Sequence, residues 1–197
     1  MIPNLVNEDF FNIGISKKKE KFTFFTLGGM IPQKGILDLL NAIKKVVSIR
    51  KDLHFKIGGT GYELYKYKDF SKENNINEYI SWLEQLTPIE ALDEFHNSDC
   101  FILTSKHESF GVVYAEAIAC GKPVIATKCG GPEDIVNEEN GLLVETGNIE
   151  EIANAILYMV DNISKYNSKK IREDFFNRFS RKVVTEKIVN VYKECLK

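Results

Sequence analysis

Short apolar runs alternate with amphipathic stretches along most of the chain. They predict six strands, at residues 22–27, 53–57, 79–83, 100–104, 123–127 and 141–144, and those at 100–104 and 123–127 are expected to be buried. Two of the stretches between or after them, from Ile36 to Val47 and from Ile149 to Val160, carry one apolar stripe and are typical of helices packed on a sheet. Because parallel strands need long crossover connections, this alternation predicts an α/β domain with a parallel sheet of about six strands.

The composition agrees with one substantial domain, or at most two small ones. The chain has 197 residues, 44% of them hydrophobic, and its net charge of −2 gives no indication of nucleic acid or an anionic membrane as a partner. It shows no secretory signal and no apolar run long enough to span a bilayer. The cysteines form no C-x-x-C pair and favour a cytoplasmic location, and the three scattered histidines predict no metal site.

The stretch from Glu108 to Val136 carries the candidate chemistry. A loop, Ser105 to Gly111, joins the predicted strand 100–104 to a predicted helix at 111–120. In parallel sheets such a loop binds ligands, and the helix N-terminus offers unpaired N–H groups to an anion. Glu108 lies in the loop, whereas Glu116 lies in the helix, roughly 8 Å beyond its start at about 1.5 Å per residue.

This layout suits an elongated ligand with an anionic middle and hydroxyls at both ends. A diphosphate would rest on the N–H groups of the helix start, and each carboxylate would accept hydrogen bonds from a pair of hydroxyls. The N–H groups are those of Phe110, Gly111, Val112 and Val113. A nucleotide sugar has this order of hexose, diphosphate and ribose. Alternatively, Glu108 is a solvated loop residue and Glu116 an exposed helix residue, which for Glu108 alone is the stronger interpretation.

The segment E-S-F-G-V-V-Y-A-E-A, followed by G-K-P-V-I-A-T and C-G-G-P-E-D-I-V, resembles the E-x7-E region of retaining GT-B glycosyltransferases of group 1, or GT4. The resemblance implies a Rossmann-like three-layer α/β/α domain, the donor-binding C-terminal half of a GT-B fold. It also implies that Glu108 contacts the donor hexose and that Glu116 holds the ribose. Ser109 lies beside Glu108 in the same donor loop.

The turn G-G-M-I-P-Q-K-G at residues 28–35 resembles the family's G-R-x-x-x-x-K-G. It implies that Gly28, Gly29 and Lys34 bind the donor, and that Lys34 acts with Glu108 in catalysis by stabilising charge on the leaving nucleotide. Gly29 stands where the family has Arg, so the bidentate clamp of that side chain is absent here. Alternatively, Lys34 is a surface lysine near a helix start, an electrostatically poor place for a cation.

Two weaker segments complete the predicted donor site. G-G-T-G at 58–61 resembles a turn near the nucleotide and implies a role for Gly59. The segment after the third strand implies contacts with the base from Leu83, Glu84 and Leu86. Glu84 replaces the glycine that is usual in the family.

The domain expectation is a single Rossmann-like domain over residues 1–197. Met1 to Phe11 resembles the segment that opens the C-terminal half of the family, which implies that the acceptor-binding N-terminal domain is absent from this chain. With that half absent, the last helix, with its stripe of Val184, Ile188, Val191 and Cys195, is expected to be partly exposed.

The resemblance implies a UDP- or GDP-linked sugar as donor and neither cofactor nor metal. It further implies an acceptor glycan or lipid bound through the absent domain, and a cytoplasmic protein that could associate peripherally with the inner face of the membrane. Three alternatives stay open. They are half of a UDP-sugar 2-epimerase-like enzyme, a non-catalytic nucleotide-sugar-binding module, and a purely structural domain.

Overall fold

The computed structural model describes residues 20–196, and six strands in it form one parallel sheet of order β3-β2-β1-β4-β5-β6. Their bounds are β1 Phe22–Leu27, β2 Leu53–Gly58, β3 Ile80–Glu84, β4 Cys100–Leu103, β5 Val124–Lys128 and β6 Gly141–Glu145. Every neighbouring pair is parallel. The predicted six-stranded parallel sheet is confirmed.

Helices connect the strands and extend the chain after the last one. Their bounds are α1 Ile36–Ile49, α2 Leu64–Glu73, α3 Pro88–His96, α4 Val112–Ala119, α5 Gly131–Ile135, α6 Ile149–Asn162, α7 Ser168–Phe179 and α8 Arg181–Cys195. Single 3₁₀ turns lie at Pro32–Lys34, Asn77–Tyr79 and Ile163–Lys165.

The core lies between the sheet and the helices that cover its two faces. The chain runs outward from β1 to β3, returns to β4 and then runs outward to β6. Right-handed connections therefore put α1 and α2 on one face and α4 and α5 on the other. Packing agrees, because α1 contacts α2 and α6, whereas α4 contacts α5 and α7. The Rossmann-like three-layer α/β/α fold is confirmed.

Aromatic side chains of the central strands fill both layers. On β1, Phe24 stacks on Phe55 with ring centroids 5.0 Å apart, and Phe25 meets Phe95 edge to face at 5.1 Å. Adjacent residues of a strand point to opposite faces, so a strand covered on both sides is apolar throughout. That is why β4 is a continuous apolar run and why β1 is interrupted only by Thr23 and Thr26.

All strands are parallel, but the direction in which the chain adds new strands to the sheet changes between β1 and β4. These two strands are hydrogen-bonded neighbours, with Phe25 opposite Phe101. The loops that follow these two strands lead to helices on opposite faces and so diverge. In open α/β sheets this divergence leaves a crevice at the carboxyl ends of the strands. The turn at residues 28–35 follows β1 and the loop from Ser105 to Gly111 follows β4, so these two predicted ligand-binding segments meet at the crevice.

Some element ends differ from prediction by a few residues. Tyr79, predicted to begin a strand, belongs to a 3₁₀ turn, and β4 ends at Leu103, one residue before the predicted end of that strand. At the start of α3, Thr87 forms a capping box with Glu90, in which each side chain accepts a hydrogen bond from the backbone N–H of the other residue. These shifts leave the order of elements unchanged.

The last helix, α8, is largely exposed, as expected. Val184 is fully buried, whereas Val191 and Cys195 are exposed. The segment Met1 to Phe11, on which the domain expectation rests, lies outside the described residues. Among residues 20–196 no helix combines the length and the apolarity that crossing a bilayer requires.

Candidate functional site

A cleft of about 590 Å³ opens at the carboxyl ends of β1 and β4. Its lining consists of Leu27, Gly28, Gly29, Lys34, Glu108, Ser109, Phe110, Gly111, Val112, Val113 and Glu116. All of these except Leu27 are residues that the sequence predicts at the donor site. The structure therefore brings the two loops and the start of α4 into one concave surface, here called the donor cleft.

The N-terminus of α4 points its first backbone N–H groups into the donor cleft. Gly111 caps the helix with a φ of 85°, and a Cβ there would lie 2.6 Å from the ring of Tyr114. Tyr114 in turn donates its hydroxyl to the carbonyl of Leu103 at 2.9 Å, which fixes the first turn to β4. The N–H groups of Val112 and Val113 have no acceptor within the helix, so this end of α4 can bind an anion.

Glu108 is held at the bottom of the loop by two donors. Its Oε1 accepts the hydroxyl of Ser105 at 2.8 Å and lies 2.5 Å from Nζ of Lys34. Only 12% of the Glu108 side chain is exposed, against 26% for Lys34. Two predicted site residues that are 74 positions apart in the chain thus form a salt bridge. The alternative interpretations, of Glu108 as a solvated loop residue and of Lys34 as a surface lysine, are therefore wrong.

The loop after β5 braces the donor loop through the backbone. The N–H of Glu108 donates to the carbonyl of Cys129 at 3.1 Å, and the N–H of Gly131 donates to the carbonyl of Glu108 at 2.7 Å. This is a parallel bridge between Glu108 and Gly130. A Cβ at Gly131 would lie 2.3 Å from Cα of Phe110, so only glycine allows the two loops to approach this closely.

Glu116 lies on α4 with its side chain half-buried among the small apolar residues of that helix. Burial raises the pKa of its carboxyl to about 7, and within residues 20–196 no side chain donates a hydrogen bond to it. The alternative of an exposed helix residue is therefore wrong. An unpaired, partly desolvated carboxylate in a cleft is well placed to accept hydrogen bonds from ligand hydroxyls.

The residues predicted to contact a base flank the donor cleft and do not line it. Gly59 follows β2, and its N–H donates to the carbonyl of Glu84 at 2.5 Å. Glu84 adopts a left-handed conformation with a φ of 55°, which suits the glycine that the family has there. Leu83 and Leu86 are partly buried against the core. Their contact with a nucleotide base stays a prediction.

Gly29 occupies the place of the expected arginine and leaves open space beside it. A Cβ built there would have Ile31 as its nearest neighbour, at 3.8 Å. Within the lining of the donor cleft the single cation is Lys34. The described residues therefore offer backbone N–H groups and one lysine to a diphosphate.

Two hydroxyl residues behind Glu108 belong to the site and were not among the predicted site residues. Ser105 is fully buried and donates to Glu108, and Thr127 donates its hydroxyl to the carbonyl of Ser105 at 2.5 Å. Each lies at or just after the carboxyl end of a buried apolar strand. A polar side chain at such a place in a parallel sheet is the sequence signal that points to them.

The chain is similar to a family of known proteins along most of its length. The model of the family described as glycosyl transferases group 1 matches residues 7–174. An uncharacterised glycosyltransferase of Methanocaldococcus jannaschii is 32% identical over 195 residues, which cover 96% of this chain and 50% of the relative. The chain spans about half the length of the curated relatives it matches.

Solved structures share the fold at lower identity. Sucrose-phosphate synthase from Thermosynechococcus elongatus superposes with a TM-score of 0.88 at 23% identity, covering 99% of this chain and 52% of that one. The Anabaena protein HepE, crystallised with UDP and glucose, superposes with a TM-score of 0.79 at 22% identity, covering 88% and 48%. The match of the family model and the identity to the archaeal relative together show that the chain belongs to the glycosyl transferases group 1 family.

Proposed function

We propose that the chain binds a nucleoside diphosphate sugar in the donor cleft and is the donor-binding half of a retaining hexosyltransferase. The observation that carries the proposal is the arrangement of one cleft, with Glu108 at one end, the N-terminus of α4 in the middle and Glu116 farther along the helix. The hexose, the diphosphate and the ribose of a nucleotide sugar follow one another in the order of these three features. Membership of the family supports the proposal.

In this function the diphosphate lies on the N–H groups of Val112 and Val113, with Lys34 as its counter-charge. Glu116 accepts the ribose hydroxyls and Glu108 accepts hydroxyls of the hexose. As the bond from the hexose to the diphosphate breaks and a bond to the acceptor oxygen forms, the leaving nucleotide gains negative charge. Fixed N–H dipoles and one cation lower the energy of that charge. We expect no metal in this step, which stays a prediction.

The acceptor, a glycan or a lipid, is proposed to bind through a part of the enzyme beyond this chain, since the chain spans about half of its relatives. A cytoplasmic location, with peripheral association at the inner face of a membrane, accords with such acceptors. These assignments are proposals for the whole protein.

Calorimetric titration with UDP, GDP and their sugar conjugates tests donor binding. We expect one base to be selected, and we expect Glu116→Ala to weaken binding by about 1.5–3 kcal/mol, roughly ten- to a hundredfold, through loss of charge-assisted hydrogen bonds. Glu138→Ala is the control, because Glu138 is exposed and precedes β6 at the amino ends of the strands, whereas the donor cleft lies at their carboxyl ends. Equal affinities for the two variants would contradict the assignment of Glu116.

A second candidate is a module that binds a nucleotide sugar without transferring it. Gly29 favours this candidate, because it leaves Lys34 as the cation of the lining. Tight donor binding by the full-length protein, with no release of nucleotide in the presence of a broad acceptor panel, would establish it. The epimerase-like alternative lacks such support, since its chemistry calls for other residues than the E-x7-E segment.

A further inference from the structure

Lys34 and Glu108 bind each other across the donor cleft, although the proposed function gives them different ligand groups to hold. Nζ of Lys34 lies 2.5 Å from Oε1 of Glu108, and both side chains are largely buried. Such a pair is screened by salt far less than an exposed one. The charge of Lys34 is therefore engaged by Glu108 until a ligand offers it another anion.

Ser105 is the second partner of the same carboxylate oxygen, and it is the fixed one. Its hydroxyl donates to Oε1 of Glu108 at 2.8 Å, while its carbonyl accepts the hydroxyl of Thr127 at 2.5 Å. Both Ser105 and Thr127 are fully buried. Lys34 instead reaches Glu108 through a flexible four-carbon stem from the 3₁₀ turn at Pro32–Lys34. Lys34 can leave, and Ser105 then keeps Glu108 in place.

We propose that the Lys34–Glu108 ion pair makes the donor cleft select a sugar-bearing nucleoside diphosphate over the free nucleoside diphosphate, an inference that rests on the proposed function. A diphosphate draws Lys34 away and leaves Glu108 without its counter-charge beside a new anion. Hexose hydroxyls donate to Glu108 and replace what it lost. A free terminal phosphate adds negative charge and no comparable set of donors, so the exchange of partners is unfavourable.

The test measures dissociation constants for UDP and UDP-glucose, and for GDP and GDP-mannose, on this chain and four variants: Glu108→Gln, Lys34→Met, the double variant of these two, and Ser105→Ala. The wild type is expected to bind the sugar nucleotide roughly tenfold or more tightly than its free diphosphate. Glu108→Gln keeps the shape of the side chain and an oxygen for Ser105. It is expected to bind the free diphosphate more tightly than the wild type and to lose the preference for the sugar.

A double-mutant cycle with Lys34→Met separates this exchange from general repulsion. Removing any nearby carboxylate helps an anion to bind, and that effect is the same whether or not Lys34 is present. Competition for Lys34 predicts instead that the gain from Glu108→Gln largely disappears in the Lys34→Met background. Ser105→Ala leaves the charges unchanged. It is expected to reduce the preference for the sugar without tightening the binding of the free diphosphate.

Thermal melting of each variant checks that it is folded, and the outcomes are distinct. Equal gains from Glu108→Gln in both backgrounds, or no gain with Lys34 present, overturn the inference while donor binding by the wild type still stands. A wild-type chain that binds none of the four nucleotides overturns the proposed function and this inference together.

Discussion

Burial raises the pKa of Glu116 to about 7, so this carboxyl changes its charge near neutral pH. Hydroxyl groups donate best to the ionised form, so a bound diol lowers the pKa again and a proton is released on binding. At pH 6 only about a tenth of an acid of pKa 7 is ionised, whereas at pH 8 about nine tenths are.

The affinity for a nucleotide sugar is therefore expected to rise about tenfold between pH 6 and pH 8. Calorimetry in buffers of different ionisation enthalpy measures both the affinity and the proton released. A sugar conjugate is the correct probe, because a free terminal phosphate titrates near pH 6 itself. Glu116→Gln should flatten the profile. A profile that keeps its slope in that variant would show that another group titrates.

Among the secondary-structure elements, β3 ends in a backbone conformation that its sequence does not favour. Glu84 has a φ of 55°, and its carbonyl accepts the N–H of Gly59 at 2.5 Å, so the end of β3 is tied to the turn after β2. The left-handed region is costly for any residue with a Cβ. The exposed side chain of Glu84 forms an ion pair with Lys68 at 2.5 Å, a surface contact that contributes little to the free energy of unfolding.

Glu84→Gly is expected to give a protein about 1 kcal/mol more stable than Glu84→Ala, because glycine adopts this φ without a steric penalty. Both variants lose the carboxylate, so the comparison isolates the backbone. Urea denaturation of the two proteins side by side measures the difference. If alanine proves as stable as glycine, the left-handed conformation at this position is not strained.

For the molecule as a whole, α8 is the helix that is least buried against the core, with Val184 as its one buried residue. Val184 packs under α7 with no exposure, whereas Val191, two turns later, keeps 45% of its surface exposed. Val184→Ala should lower the free energy of unfolding by about 1.5–3 kcal/mol through lost burial and the cavity left behind.

The matched change Val191→Ala should alter the free energy of unfolding by less than about 0.5 kcal/mol. Thermal and chemical unfolding of the two variants provides the comparison. A large loss in Val191→Ala would mean that α8 is covered in solution.

The pattern of apolar positions was enough to predict the six parallel strands. A central strand covered on both faces, such as β4, is apolar throughout, whereas β2, nearer the edge of the sheet, is apolar at alternate positions. The E-x7-E spacing likewise placed Glu108 and Glu116 in one cleft, since a loop and the helix that follows it are local. The salt bridge from Lys34 to Glu108 could not be predicted in this way. It depends on β1 and β4 becoming neighbours, which the strand order decides and local spacing does not.

Main-chain atoms form the bridge that holds Glu108 beside Gly130, and this divides the loop into positions that can vary and positions that cannot. Lys106, His107 and Ser109 project exposed side chains from the same loop. Exchanging them leaves the backbone partners of Glu108 unchanged. A library randomised at these three positions can therefore search for new sugar preferences while every member retains the same anchor, and natural divergence can follow the same route.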